Sequence, residues 1–262
     1  MLIERIEQRV LGALRLIDRV TQIPVTPILT LHSSNATVVR NRRGYYVVTD
    51  AAGLESHIEA FEQPPATPAL GSVSCTFEIN DPQQRYLPRL ATLNLPRDPN
   101  PANVSNANSL FRPVAVAMYP ASTAPLSHNW STIRAAVTRG AERAPVRGAL
   151  LQVIDAADDS VLASGISDER GEALVIVPGV PVTKFADEAD GPGHGGGGGG
   201  GHVPPPVIVN TLPVRLELSL GVTTPWPVNP DLLEQNHVAN RRMSMDLTLS
   251  TGKMERVVIN IT

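Results

Sequence analysis

The chain has 262 residues and a mass of 28.0 kDa, which suits one large or two ordinary domains, each able to bury a core. A formal net charge of −3 with only 18% charged residues excludes the strong positive field that would select nucleic acid or an anionic membrane surface. Twenty-four prolines and 20 glycines predict many turns and few helices, and no apolar run approaches the ~20 residues needed to span a bilayer.

At the start of the chain Leu2, Ile6, Val10, Leu14 and Ile17 recur at spacings of four and three, one apolar stripe on a helix. We expect a short helix over residues 2–11 leading into a strand at 13–18. That helix either caps its own domain or docks on a neighbouring subunit. The stretch lacks the uninterrupted apolar core of a secretory signal, so synthesis in the cytosol is expected.

Strands are expected at residues 28–31, 45–48, 73–79 and 93–95. Cys75 is the only cysteine, which leaves no intramolecular disulfide and no thiolate metal cluster, and its place on the apolar face of an alternating strand predicts a buried, inert thiol. Between the last two strands lies a loop that opens on a turn-forming Asp81-Pro82 and carries Arg85, Tyr86 and Arg89, residue types that serve in protein interfaces. The plain alternative is that Tyr86 plugs the end of its own domain.

Residues 97–108, polar and without periodicity, read as a linker, giving an N-terminal domain at 1–98, a connection at 99–108 and a C-terminal domain at 109–262. Strands at 114–119 and 132–138 then open the second domain. Its centre is the stretch 144–180, where a period-two strand at 149–154 precedes a strand at 161–166, a turn Asp168-Glu169-Arg170-Gly171 and a third strand at 172–177. Gly171 supplies the positive φ that a tight reversal needs.

A weaker copy of this plan stands earlier. Ile23-Pro24-Val25 precedes its apolar run as Ala144-Pro145-Val146 does, Asn41-Arg42-Arg43-Gly44 matches the turn at Asp168, and Ala52-Gly53 matches Pro178-Gly179. The pattern Pro-Val-x-x-Ala followed by Asp-x-x-Gly-Glu-Ala resembles the transthyretin-like or carboxypeptidase regulatory-like β-sandwich family. That resemblance implies an all-β chain of two tandem Ig-like or prealbumin-like sandwiches of about seven strands each, and a role in scaffolding, folding support or binding.

Residues 187–206 hold Gly193-His194 followed by seven glycines, His202 and a Pro204-Pro205-Pro206 run, and read as a surface loop. They lack the Lys-Ser/Thr ending of a phosphate cradle. Clean alternation follows at 214–220, 243–249 and 257–261, with Arg215, Glu217 and Ser219 expected to face water. Between the first two of these strands a proline-rich segment carries Trp226, either an exposed anchor for a partner or sugar or a side chain that pins its own loop.

No nucleophile, general-base, metal-ligand or cofactor motif is present, and the six histidines are scattered. The expectation is a non-enzymatic structural or assembly subunit without cofactor or metal, partnered by other protein subunits through Leu2, Ile6, Val10, Arg85, Tyr86, Arg89 and Trp226. A phage-tail-like contractile injection apparatus, released from the cell as a particle, is one setting for cytosolic, disulfide-free β modules. The alternative is a carbohydrate- or peptide-binding β-sandwich module that uses Tyr86 and Trp226.

Overall fold

The computed structural model describes residues 9–60, 65–180, 183–185, 207–209, 211–222 and 225–262. Strands dominate, in two sets of sheets. Among the described residues the N-terminal half contains β1 (Gly12–Asp18), β2 (Thr30–His32), β3 (Ala36–Arg40), β4 (Tyr46–Ala51), β5 (Val73–Asn80), β6 (Arg89–Leu95) and β7 (Val114–Met118), with one α-helix, α1 (Glu55–Glu59), and a 3-10 turn at Pro101–Asn103. They form a sheet ordered β3-β4-β1-β7 and a second ordered β2-β5-β6. The inward residues of both sheets, among them Leu14, Val48, Phe77, Leu93 and Met118, share one core.

The C-terminal half contains β8 (Ser131–Arg139), β9 (Ala144–Pro145), β10 (Leu150–Asp155), β11 (Val161–Ile166), β12 (Glu172–Val177), β13 (Thr183–Phe185), β14 (Val207–Val209), β15 (Leu212–Ser219), β16 (Arg241–Leu249) and β17 (Met254–Ile261). Two short helices, α2 (Pro230–Gln235) and α3 (His237–Asn240), lie between β15 and β16. One sheet runs β11-β10-β15-β16, the other β12-β8-β17 with β9 added to β8. Ile133, Leu151, Val175, Leu216 and Ile259 meet in their common core. Each such buried side chain contributes roughly 1.5–3 kcal/mol.

The repeated plan extends to the strand pairing. β1 pairs antiparallel with β4 and parallel with β7, as β8 pairs with β12 and β17. β2-β5-β6 corresponds to β10-β15-β16. The halves differ at the third strand, for β3 joins β4 whereas β11 joins β10. The two turns match bond for bond: Asn41 Oδ1 accepts from the N–H groups of Arg43 and Tyr45, and Asp168 Oδ1 from those of Arg170 and Glu172. Pro24 bridges to Ile17 as Pro145 pairs with Thr138.

Several expectations are corrected. Residues 9–11 are not helical; Leu11 N–H donates to Val48 O, so the chain is already extended before β1, while Leu2 and Ile6 lie outside the described residues. Val114–Met118 belongs with the first sheets, because Val116 and Met118 enter the N-terminal core beside β1. The expected linker folds back on itself: Asp98 bridges to Ser109, and the buried Arg97 guanidinium donates to the carbonyls of Ser109 and Ala107. β11 and β12, like β16 and β17, are not hairpin partners, because their turns carry the chain from one sheet to the other. Glu217 and Ser219 are buried rather than solvated, since Glu217 accepts from Arg215 and Arg241 and Ser219 donates to His237 O. The glycine-rich run at 193–201 lies outside the described residues; β13 and β14 pair on either side of it.

Candidate functional site

Two segments from each half meet at a seam. From the N-terminal half come the loop between β5 and β6 and the chain following β7; from the C-terminal half come the outer face of β10 and β11 and the segment from Trp226 through α2. Leu87, Tyr119, Ala121, Leu150, Ile166, Val228 and Leu233 form a third apolar cluster there, with Trp226 packed against it. Backbone bonds stitch it: Leu87 N–H to Tyr119 O, Ala121 N–H to Arg85 O and Leu90 N–H to Val228 O, all 2.7–2.8 Å.

Local sequence explains how the inserted segment is presented. Asn229 caps α2 by accepting from Asp231 N–H, and Pro230 occupies a first-turn position where a missing N–H costs nothing. Asp231 in that turn then accepts from Arg89 at 2.5 Å, and Arg89 also donates to Ala117 O and Leu90 O. One turn later Glu234 Oε1 accepts from Arg19, from the Tyr119 hydroxyl and from the Ser164 hydroxyl at 2.8–3.1 Å. Burial first and the neighbouring Glu234 carboxylate second push the Tyr119 hydroxyl pKa upward, so it stays a donor.

Beside the cluster a cleft of about 480 Å³ opens along the seam. Gln84, Tyr86, Leu87 and Pro88 line one side, Ser122, Thr123, Asp168 and Arg170 another, and Trp226 also contributes to the lining. The Tyr86 hydroxyl donates to Asp18 Oδ2 at 2.9 Å, so its ring is what it offers the cleft. Arg85 grips Asp81 with two parallel bonds of 2.8 and 2.9 Å, and this pairing holds the Asp81 carboxyl down at about 2. Asp168 accepts from Ser122 Oγ at 3.0 Å and is paired with Arg170.

The structure therefore brings Tyr86 and Trp226, distant in sequence, onto one cleft. Arg85 sits beside it, engaged by Asp81. Arg89 is 1% exposed and bound to three groups of its own chain, so it presents no surface to another subunit. Val10 is 39% exposed elsewhere on the surface. Glu234, Tyr119, Arg19, Thr123 and Gln84 were not singled out by sequence. Arg19 and Glu234 are 215 positions apart, and no local pattern links them.

Cys75 and His57 are placed as core. Cys75 is buried, and burial raises its thiol pKa, the reverse of what activates a nucleophile. His57 is buried with neither ring nitrogen hydrogen-bonded; burial, then the Arg9 charge, lowers its pKa. Among the described residues no three His, Cys, Asp or Glu side chains lie close enough to hold a metal ion, and no helix is long and apolar enough to cross a membrane. No protein-family model matches the chain, and no curated protein shows significant similarity to it.

Proposed function

We propose that this chain is a non-enzymatic structural or assembly subunit, built as two prealbumin-type β-sandwiches held in one orientation so that neighbours in a larger complex meet surfaces at a set spacing. The observation that carries this reading is the seam. Arg89, Asp231, Glu234, Tyr119 and Arg19 tie two separately cored halves together through side chains rather than leaving them on a free tether. A tethered pair would move independently, whereas a subunit that transmits load or spacing needs the halves fixed.

The exposed apolar side chains, among them Ile23, Ile28, Phe111, Val222 and Val258, supply the surface that neighbouring protein subunits would cover. Leu2, Ile6 and Val10 belong to the same proposal as an N-terminal contact. A phage-tail-like contractile apparatus remains the setting we favour, with synthesis in the cytosol. The test is native isolation of the tagged chain from its own cells. We expect it in a particle many times its 28.0 kDa mass and at constant stoichiometry with other subunits. Recovery solely as a free monomer would overturn the reading.

A further inference from the structure

We propose that the seam cleft is a binding site for a neutral oligosaccharide. This inference goes beyond the assembly role and does not depend on it. The cleft's volume of about 480 Å³ falls within the roughly 300–1,000 Å³ common for small-ligand sites. Its lining combines two aromatic rings, Tyr86 and Trp226, with an uncovered polar rim.

The chemistry of that lining selects among ligands. Tyr86 has already given its hydroxyl proton to Asp18, so it offers the cleft an apolar ring face, the kind of platform against which the C–H face of a sugar packs. The side chains of Gln84, Thr123 and Glu169 line the same cleft, are exposed, and have no hydrogen bond within the described chain. They supply amide, hydroxyl and carboxylate groups for sugar hydroxyls, which both donate and accept. Charge argues against an anion. Asp81 is neutralised by Arg85, and Arg170, the cationic side chain of the lining, already faces Asp168 and Glu172. The Tyr86 hydroxyl, one of the donors a proline-rich peptide would use for its carbonyls, is already given to Asp18.

Because the walls come from both halves, the site exists only while the seam is closed. A saccharide bound there would also clamp the halves together.

The test uses the full chain and titrates it calorimetrically with cellotetraose, maltotetraose, xylotetraose and chitotetraose. At least one should bind saturably. Trp226→Ala should weaken that binding about tenfold or more, and Thr123→Ala with Glu169→Ala together about fivefold. Phe111→Ala, an exposed aromatic outside the cleft lining, should change nothing. If Trp226→Ala melts early, Trp226→Phe and the two exposed rim variants carry the comparison. Failure of all four saccharides to bind overturns the proposal, as does binding that the cleft variants leave intact. Binding of a proline-rich decapeptide at Trp226 in their place would also overturn it.

Discussion

Arg89, at the start of β6, donates to Asp231 Oδ2 in the first turn of α2 across the seam, and the two side chains are unequally buried, at 2% and 49% exposure. The guanidinium is thus the group that depends on the pair. Removing its carboxylate leaves a buried cation satisfied only by the carbonyls of Leu90 and Ala117. We expect Asp231→Ala to cost about 2–3 kcal/mol, more than a half-exposed aspartate ordinarily would, and Arg89→Met about the same through orphaned carbonyls. The double variant should lose at least about 1 kcal/mol less than the sum, measured by urea unfolding at neutral pH. Strict additivity would show that the pair is incidental.

Glu234 is the other tie across the seam. A single carboxylate oxygen takes three donors, from the end of β1, the end of β7 and β11. Glu234→Ala leaves the buried Tyr119 hydroxyl without its acceptor and removes one of the two bonds from Arg19 to the C-terminal half, leaving the one to Ser164 Oγ, while both cores stay intact. The single thermal transition expected for the parent should split into two in calorimetry, one for each half. One unshifted transition would mean that the apolar cluster alone holds the seam.

Much of each half was legible because strand alternation is a local signal. The 214–220 run and the 73–79 run bury Val214, Leu216, Leu218 and Leu220, and Cys75, Phe77 and Ile79, as their period demands. The repeated turn was legible too, since an Asx residue followed three positions later by glycine dictates its own hydrogen bonds. The seam was not. Glu217 and Ser219 alternate as if solvated, but Arg241 reaches over Glu217 and α3 comes back over Ser219, and nothing in an alternating strand reports what will cover its second side. β7 was misplaced for a related reason, as a parallel partner of β1 can arrive from any distance in the chain. The start of α2 could have been read: Asn229-Pro230-Asp231 is a cap, a first-turn proline and a first-turn acid.

Two buried titratable groups set the acid limit of stability in separate windows. His57 has a folded pKa below its ordinary 6.5, so the unfolded chain binds a proton that the folded chain refuses, and stability falls as pH drops through about 6.5. Asp81 behaves as a depressed carboxylate, at about 2 against an ordinary 3.8. Its contribution, about 2 kcal/mol, is complete above pH 3.8 and is lost as pH falls toward 2. Urea midpoints between pH 8 and 2 should show both declines. His57→Phe should flatten the first and leave the second; Asp81→Asn should lower stability at pH 7 by about 2 kcal/mol and flatten the second.

The paired turns allow backbone conformation to be separated from packing. Gly44 and Gly171 hold φ of +84° and +76° in turns with the same hydrogen bonds, so a side chain meets the same left-handed strain at both. Their surroundings differ. A Cβ at Gly44 would find only the end of the Arg40 side chain, 3.6 Å away, whereas at Gly171 it would lie 2.4 Å from Val137 O, in the backbone of β8. That carbonyl cannot retreat without disturbing Val146 N–H, which donates to it at 2.9 Å. Gly44→Ala should therefore cost about 1–2 kcal/mol, and Gly44→Asn less, because asparagine tolerates the left-handed region. Gly171→Ala should cost about 3 kcal/mol or more, and Gly171→Asn should give no relief, since steric overlap dominates there. Thermal or urea denaturation of the four variants decides it: equal losses at the two turns would mean that the close approach to β8 is not maintained in solution.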